Sequence, residues 1–218
     1  MSHFNVAVFS EQGQDIDALL EPFSVEHDVE PYVWMAKGDI IKKIRERIED
    51  IETCYYKDYL NAPETFCRIH SHQKKLLHFL TNEFEEQLKW SDEQCYQFGI
   101  EYYEPKEIDE NGNFLTTYNP HAKWEWYEVG GDWEDQLAVM HEGKVQFCNS
   151  AKVSEAVFPD GFYTFAVLFP DGTWHEMGKM TPFGIVENEV AGWAQTYKEK
   201  FLDMADPEWI LTIVDCHS

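Results

Sequence analysis

Residues 215–217 read Asp-Cys-His, which places a carboxylate and an imidazole two positions apart. In an extended strand Asp215 and His217 point to the same side, and Cys216 points to the other. Such a pair can ligate a metal ion or orient a general base, whereas adjacent Cys216 and His217 are poorly placed to act as nucleophile and base. His175 would add a third ligand if its strand lay beside the last strand. The sequence therefore predicts a metal site of His175, Asp215 and His217, with a solvated chain end as the alternative.

A second group of candidates lies in the segment Lys-Trp-Glu-Trp-Tyr at 123–127 and the Gly-Gly-Asp-Trp that follows at 130–133. If the first part is a strand, its two tryptophans share one face and face the core, while the polar residues line the other. The glycines would let a ligand approach the backbone closely. The predicted ligand-binding residues are Lys123, Glu125, Tyr127, Gly130, Gly131 and Trp133. The alternative is a tightly packed strand-turn-strand whose glycines serve geometry alone.

The balance of charge is strongly acidic, with 41 Asp and Glu against 17 Lys and Arg and a net charge of −24. Such a field repels nucleic acids and anionic membranes, so we expect neither as a direct partner. Bases are missing before Lys37, between Lys123 and Lys144, and from residue 201 onward, and these stretches hold seven, six and four acids. The pattern favours a partner with a basic surface. A merely solvated surface and an acidic array that imitates DNA remain alternatives.

Other patterns narrow the class of protein. The five cysteines are irregularly spaced and lack a CxxC, which argues against a disulfide framework or a zinc ribbon. The N-terminus is not a secretory signal, and no apolar run approaches 18 residues, so a cytoplasmic location is expected. No Walker loop, GxGxxG, GxSxG or HExxH occurs, and we expect no cofactor.

The elements that must position these residues follow from periodicity. Alternation over residues 3–9 predicts a first strand, and isoleucines at helical spacing predict a helix over 37–51. Further helices are expected over 63–90 and from Ser91, which with Gln94 forms a capping-box pattern. Short strands fill the second half, with one over 162–169, a helix over 187–201 and a last strand over 209–214. The order predicts a single α+β domain over 1–218, mainly antiparallel, with helices on one face. A ferredoxin-like core with a helical insertion at about 53–110 would fit.

Four segments together resemble a widespread, poorly characterised family of phage and bacterial proteins. They are MSHFNVAVF at the start, TTYNPHAKWEWYEVGGDW at 116–133, FPDGTWHEMGKM at 169–180 and IVDCHS at 213–218. Members of that family begin MSHF-x-V and carry YNP-x-x-KWDWY-x-x-GGRW. The resemblance implies a mobile-element setting and a role against host defence. Asp132 departs from the family pattern, which has an arginine suited to gripping an anion.

These observations favour a non-enzymatic binding protein of phage type. It would inhibit or modulate a host protein, in particular a defence component, by stoichiometric contact in the host cytoplasm. The first alternative is a protein that binds or hydrolyses a small ligand such as a nucleotide signal, with its pocket around the segments at 123–133. The second alternative is a DNA mimic.

Overall fold

The computed structural model describes residues 2–181 and 186–218. The chain divides into two compact units. The first unit comprises residues 1–29 and 118–218, and the second comprises residues 30–117. The sequence predicted one domain with an insertion at about 53–110. The second unit is larger than that insertion because it also includes one strand and one helix before residue 53 and one strand after residue 110.

Most of the helices follow one another between residues 37 and 103, and most of the strands follow between residues 107 and 187. The strands are β1 (His3–Ser10), β2 (Tyr32–Met35), β3 (Glu107–Ile108), β4 (Phe114–Thr116), β5 (Trp126–Val129), β6 (Leu137–His141), β7 (Lys144–Cys148), β8 (Ser150–Lys152), β9 (Ala156–Val157), β10 (Ala166–Leu168), β11 (Trp174–Glu176), β12 (Lys179–Met180), β13 (Val186–Glu187) and β14 (Ile210–His217). The α-helices are α1 (Ile16–Leu20), α2 (Lys37–Ile51), α3 (Lys57–Asn61), α4 (Pro63–Ile69), α5 (Lys74–Asn82), α6 (Phe84–Gln87), α7 (Asp92–Tyr103) and α8 (Trp193–Tyr197). Two 3₁₀ turns lie at Glu21–Phe23 and Gly131–Trp133, and two π-helical turns at Glu52–Tyr56 and Lys198–Leu202. The α+β class predicted from the sequence is confirmed.

The first unit is built on a six-stranded sheet with the order β11-β10-β1-β14-β5, and β8 also pairs with β14. The central strands β1 and β14 are antiparallel over eight residue pairs, from His3 opposite His217 to Ser10 opposite Ile210. Strand β10 pairs with β1 in parallel. The topology therefore differs from the ferredoxin-like core that the strand order suggested, in which neighbouring strands are antiparallel.

The two faces of this sheet form separate hydrophobic cores, because side chains alternate along each strand. One face buries Phe4, Val6 and Val8 of β1 with Val214 and Cys216 of β14. The other face buries the intervening residues of the same strands, which pack against α8 and the π-helical turn that follows it; they are Ala7, Phe9, Leu211 and Ile213. The odd-numbered residues of β14 therefore share the second face, and this includes Asp215 and His217.

The second unit packs its longest helix, α2, against α7. Helix α7 begins at the capping box that the sequence predicted, in which the side chain of Ser91 accepts from the backbone N–H of Gln94. Strands β2, β4 and β3 form a small antiparallel sheet in the same unit. Together these contacts give residues 30–117 hydrophobic cores of their own, centred on Ile44, Phe84 and Phe114.

Several predicted elements shift at their ends. Strand β14 extends to His217, and the predicted helix over 187–201 begins as α8 only at Trp193. The predicted strand at 162–169 is limited to β10, and just before it the backbone N–H of Phe165 donates to the side chain of Asn5. The predicted strand over 123–129 begins only at Trp126, as β5, and ends at Val129 as expected. Within the described ranges no helix has the length and apolar character needed to cross a bilayer.

Candidate functional site

The candidate site lies where the two central strands of the first unit begin and end. His3 on β1 is directly opposite His217 on β14, and Asn5 is opposite Asp215. In an antiparallel pair the diagonal neighbour on the same face is also within reach, so Asp215 approaches His3. The sheet register thus brings two imidazoles and a carboxylate together from the two ends of the chain.

The three side chains have the spacing of a metal-ligand set. Asp215 Oδ2 lies 3.5 Å from His3 Nδ1 and 3.5 Å from His217 Nε2. The ligand atoms of all three residues lie within 4.8 Å of one another. Donors on a tetrahedral zinc ion at its usual bond lengths of about 2.0–2.2 Å would be separated by about 3.3–3.6 Å. Two of the three distances between ligand atoms therefore already match those expected around one bound ion.

The buried members of this set lack the partners that buried polar groups normally have. The side chains of Asp215 and His217 are 1% and 4% exposed. Within the described part of the chain, Asp215 Oδ1 and both ring nitrogens of His217 make no hydrogen bond. Leaving such groups unpaired in a protein interior costs stability, so each one indicates a missing partner.

The Gly-Gly-Asp-Trp segment forms one wall of the cluster. The backbone N–H of Asp132 donates to Asp215 Oδ2 at 3.0 Å, and the Asp132 carboxylate lies 3.5 Å from His3 Nδ1. Gly131 has a φ of +55°, and a Cβ at that position would lie 2.5 Å from Asp215 Oδ2. The second glycine is therefore required both by its backbone conformation and by the closeness of Asp215.

Trp126 forms the opposite wall. Its ring stacks on the imidazole of His217 with centroids 3.3 Å apart and an interplanar angle of 15°. This contact fixes the ring of His217 in a plane whose Nε2 faces Asp215. The predicted core role of Trp126 is wrong, since the ring is partly exposed and covers the candidate site.

His175 does not join Asp215 and His217. It is exposed on β11, and β10 and β1 lie between β11 and β14 in the sheet. At the usual strand spacing that places it roughly 14 Å away. Its ring instead contacts that of Phe201, with centroids 5.0 Å apart. The third position is held by His3, which sequence reasoning missed. The available signal was the alternation of residues 3–9, which puts His3 at the start of the first strand.

The other predicted ligand residues divide between the two faces of the sheet. Lys123 and Glu125 line a cavity of about 310 Å³ beside Phe4 and Phe165, and Lys123 pairs with Glu176 at 2.9 Å. Trp133 packs with the hydrophobic core on the opposite face. The predicted pocket that joined Lys123 and Glu125 to Trp133 is therefore not formed, because β5 separates them.

The contacts of Tyr127 and Gly130 indicate structural roles for both residues. The Tyr127 hydroxyl donates to the carboxylate of Asp17, and burial followed by that hydrogen bond raises the pKa of Tyr127. Gly130 has a φ of +81° and lies against the side chain of Asn149. Gly130 and Gly131 thus position the wall of the cluster, and the structure places neither beside a ligand cavity among those described.

No protein-family model, curated protein or solved structure matches the chain. The fold and the cluster define it as an α+β protein with a His-Asp-His cluster on its central strand pair. The resemblance to phage and bacterial proteins continues to rest on sequence motifs alone.

Proposed function

We propose that the protein binds a divalent transition-metal ion through His3, Asp215 and His217. The observation that carries the proposal is the pair of 3.5 Å separations from Asp215 Oδ2 to the two imidazole nitrogens. A metal would also give His217 Nε2 the partner that it lacks among the described residues. An ion would also stabilise the buried pair Asp215 and His217, whose burial is otherwise unfavourable.

The donor set selects the kind of metal. Two imidazoles and one carboxylate suit zinc, and the same set also binds iron(II) in other proteins. Calcium and magnesium prefer oxygen ligands throughout, so they fit this site poorly. We therefore expect zinc to bind most tightly among the three common divalent ions zinc, magnesium and calcium.

One side of the site is accessible. The side chains of His3 and Asp132 are 38% and 73% exposed, in contrast to the buried pair. Three protein ligands leave a tetrahedral ion one position for water or for another ligand, and Asp132 lies on that side. Exposed Asp132 is thus positioned to hydrogen-bond a water at the fourth position.

The surrounding charge favours a cation. The first unit carries twenty-three acidic residues against six basic ones. A field of this sign concentrates cations near the surface and repels anions. A phosphate-bearing ligand at this site is therefore disfavoured, and the nucleotide-signal alternative loses support at this position.

Direct metal titration tests the proposal. We expect apo-protein to bind one zinc ion in calorimetry and the melting temperature to rise with zinc concentration. Asp215→Asn and His217→Gln should each weaken zinc binding at least ~10-fold. His175→Gln is the matched control and should bind as the unaltered protein does. Equal zinc binding by Asp215→Asn and the unaltered protein would refute the site.

A second candidate function is stoichiometric binding of a basic protein. In the three base-free stretches sixteen of the seventeen acids are exposed, and the exception is Asp215. Exposed acids of one sign speed the encounter with a basic partner and bias its choice. With the family resemblance, this supports an anti-defence role in a phage-infected host.

The second candidate is tested by neutralising exposed acids outside the metal cluster. A Glu125→Gln, Glu134→Gln, Glu142→Gln variant should lose partner capture from host lysate at low salt while keeping zinc binding. Unchanged capture would contradict the proposal, and displacement of the partner by DNA would instead favour DNA mimicry.

A further inference from the structure

We infer that the second unit binds an aromatic anion of mononucleotide chemistry in a cavity lined by α2, α5 and α7. The cavity measures about 720 Å³, within the usual range for small-ligand sites. All of its lining residues belong to residues 30–117. The inference is independent of the metal site, which lies in the first unit.

Two cations on one face of α2 supply the anion-binding part. Lys43 and Arg47 are four residues apart, so they share a face of the helix, and both line the cavity. Other bases near them are engaged, since Lys42 pairs with Glu46 and Arg45 with Asp92. Lys43 and Arg47 form no ion pair within the described residues, which leaves their charges available in a chain where acids outnumber bases.

Aromatic side chains supply the surface for a planar ring. The Arg47 guanidinium lies over the Tyr102 ring, 4.8 Å from its centroid, and donates to the Tyr102 hydroxyl at 3.4 Å. Tyr55 and Phe79 line the same cavity. A flat base can stack on such rings, and the guanidinium held on Tyr102 is oriented for a phosphate.

The π-helical turn Glu52–Tyr56 contributes Tyr55 to the wall. A π-helical turn inserts an extra residue in the helix and turns the side chains that follow, and such turns occur often at functional sites. Here the turn comes directly after α2, so it aims Tyr55 at the cavity that Lys43 and Arg47 line.

Polar groups in the cavity distinguish a nucleotide from simple phosphate. Glu46, Asp50 and Gln73 also line it. Their oxygens can accept hydrogen bonds from sugar hydroxyls or from base amino groups, neither of which inorganic phosphate offers. A polynucleotide would bring many phosphates toward a chain of net charge −24, so a single nucleotide fits the charges better.

The test is calorimetric titration of the full chain with AMP. We expect AMP to bind, with adenosine and inorganic phosphate each about 10-fold weaker or more, because each offers only part of the contacts. Arg47→Gln and Lys43→Gln should each weaken AMP binding about 10-fold. Arg47→Lys should weaken AMP binding less than Arg47→Gln does, since lysine keeps the positive charge but lacks the forked guanidinium group.

The matched control is Lys37→Gln, which removes a base from the same helix outside the cavity and whose partner Glu93 also lies outside it. It should bind AMP as the unaltered protein does. The inference would be overturned by no AMP binding to the folded chain, by equal losses in Lys37→Gln and Arg47→Gln, or by tighter binding of a single-stranded oligonucleotide. Zinc binding is measured on the same samples, so failure of either site is recognised separately.

Discussion

The backbone of Gly131 lies directly against the side chain of Asp215. The approach leaves no room for a Cβ, and the φ of +55° is one that other residues adopt only with strain. It also places the next backbone N–H, that of Asp132, 3.0 Å from Asp215 Oδ2. This close contact therefore explains why residue 131 is a glycine, and it holds the Asp215 carboxylate beside the two histidines.

Gly131→Ala should displace Asp215 and damage both stability and zinc binding. We expect a loss of about 2–4 kcal/mol in the free energy of unfolding, from overlap added to backbone strain. Gly143→Ala is the control, because its φ of +77° is also positive but no described atom lies within 4 Å of a Cβ there. It should cost about 1 kcal/mol and leave zinc binding intact. Chemical denaturation and zinc calorimetry measure both, and equal effects of the two changes would contradict the contact.

Zinc binding should weaken as the solution becomes acidic. A metal ion and a proton compete for the same imidazole nitrogen, so protonation of His3 or His217 excludes zinc. Calorimetry at a series of pH values checks this, and zinc binding should be accompanied by release of protons. An affinity that stayed constant to pH 5 would argue against imidazole ligands.

The reactivity of the Cys216 thiol should report whether β14 stays paired in the sheet. Burial, followed by the charge of Asp215, raises the pKa of Cys216, so the thiol stays protonated and unreactive while the strand is in place. Exposed Cys54 should react with iodoacetamide at once. Zinc ties β1 to β14 and should slow alkylation of Cys216 about 10-fold or more, as mass spectrometry of peptides would show. In the Asp215→Asn variant zinc should not change the rate of Cys216 alkylation. Slower alkylation with zinc in that variant would contradict the link between metal binding and the pairing of β14.

Substitution by alanine should change the stability of the protein in opposite directions at two helical glycines. A Cβ at Gly99 in α7 would overlap the side chain of Ile40 in α2. We expect Gly99→Ala to destabilise the protein by about 1–3 kcal/mol despite the better helix propensity of alanine. Gly38 lies in the first turn of α2 with no described atom near its Cβ position. Gly38→Ala should be neutral or stabilise by up to about 1 kcal/mol in thermal unfolding. A stabilising Gly99→Ala would contradict the close packing of α2 on α7.

The local signals in the sequence were informative where neighbouring residues decide the structure. The isoleucine spacing predicted α2 with its observed bounds, and Ser91 with Gln94 predicted the start of α7. Alternation predicted that Asp215 and His217 share a face, which β14 confirms. These features depend on backbone periodicity and on capping within one turn, so they can be read from the order of residues.

The sequence by itself determined the α+β class, the acidic surface and the candidate pair Asp215 and His217. Only the tertiary structure decided that His3 completes the pair, that His175 does not, and that Trp126 and Gly131 enclose it. The physical reason is strand order. Sequence spacing fixes which side of a strand a residue occupies, whereas the neighbour of that strand is set by how the whole sheet buries its apolar faces.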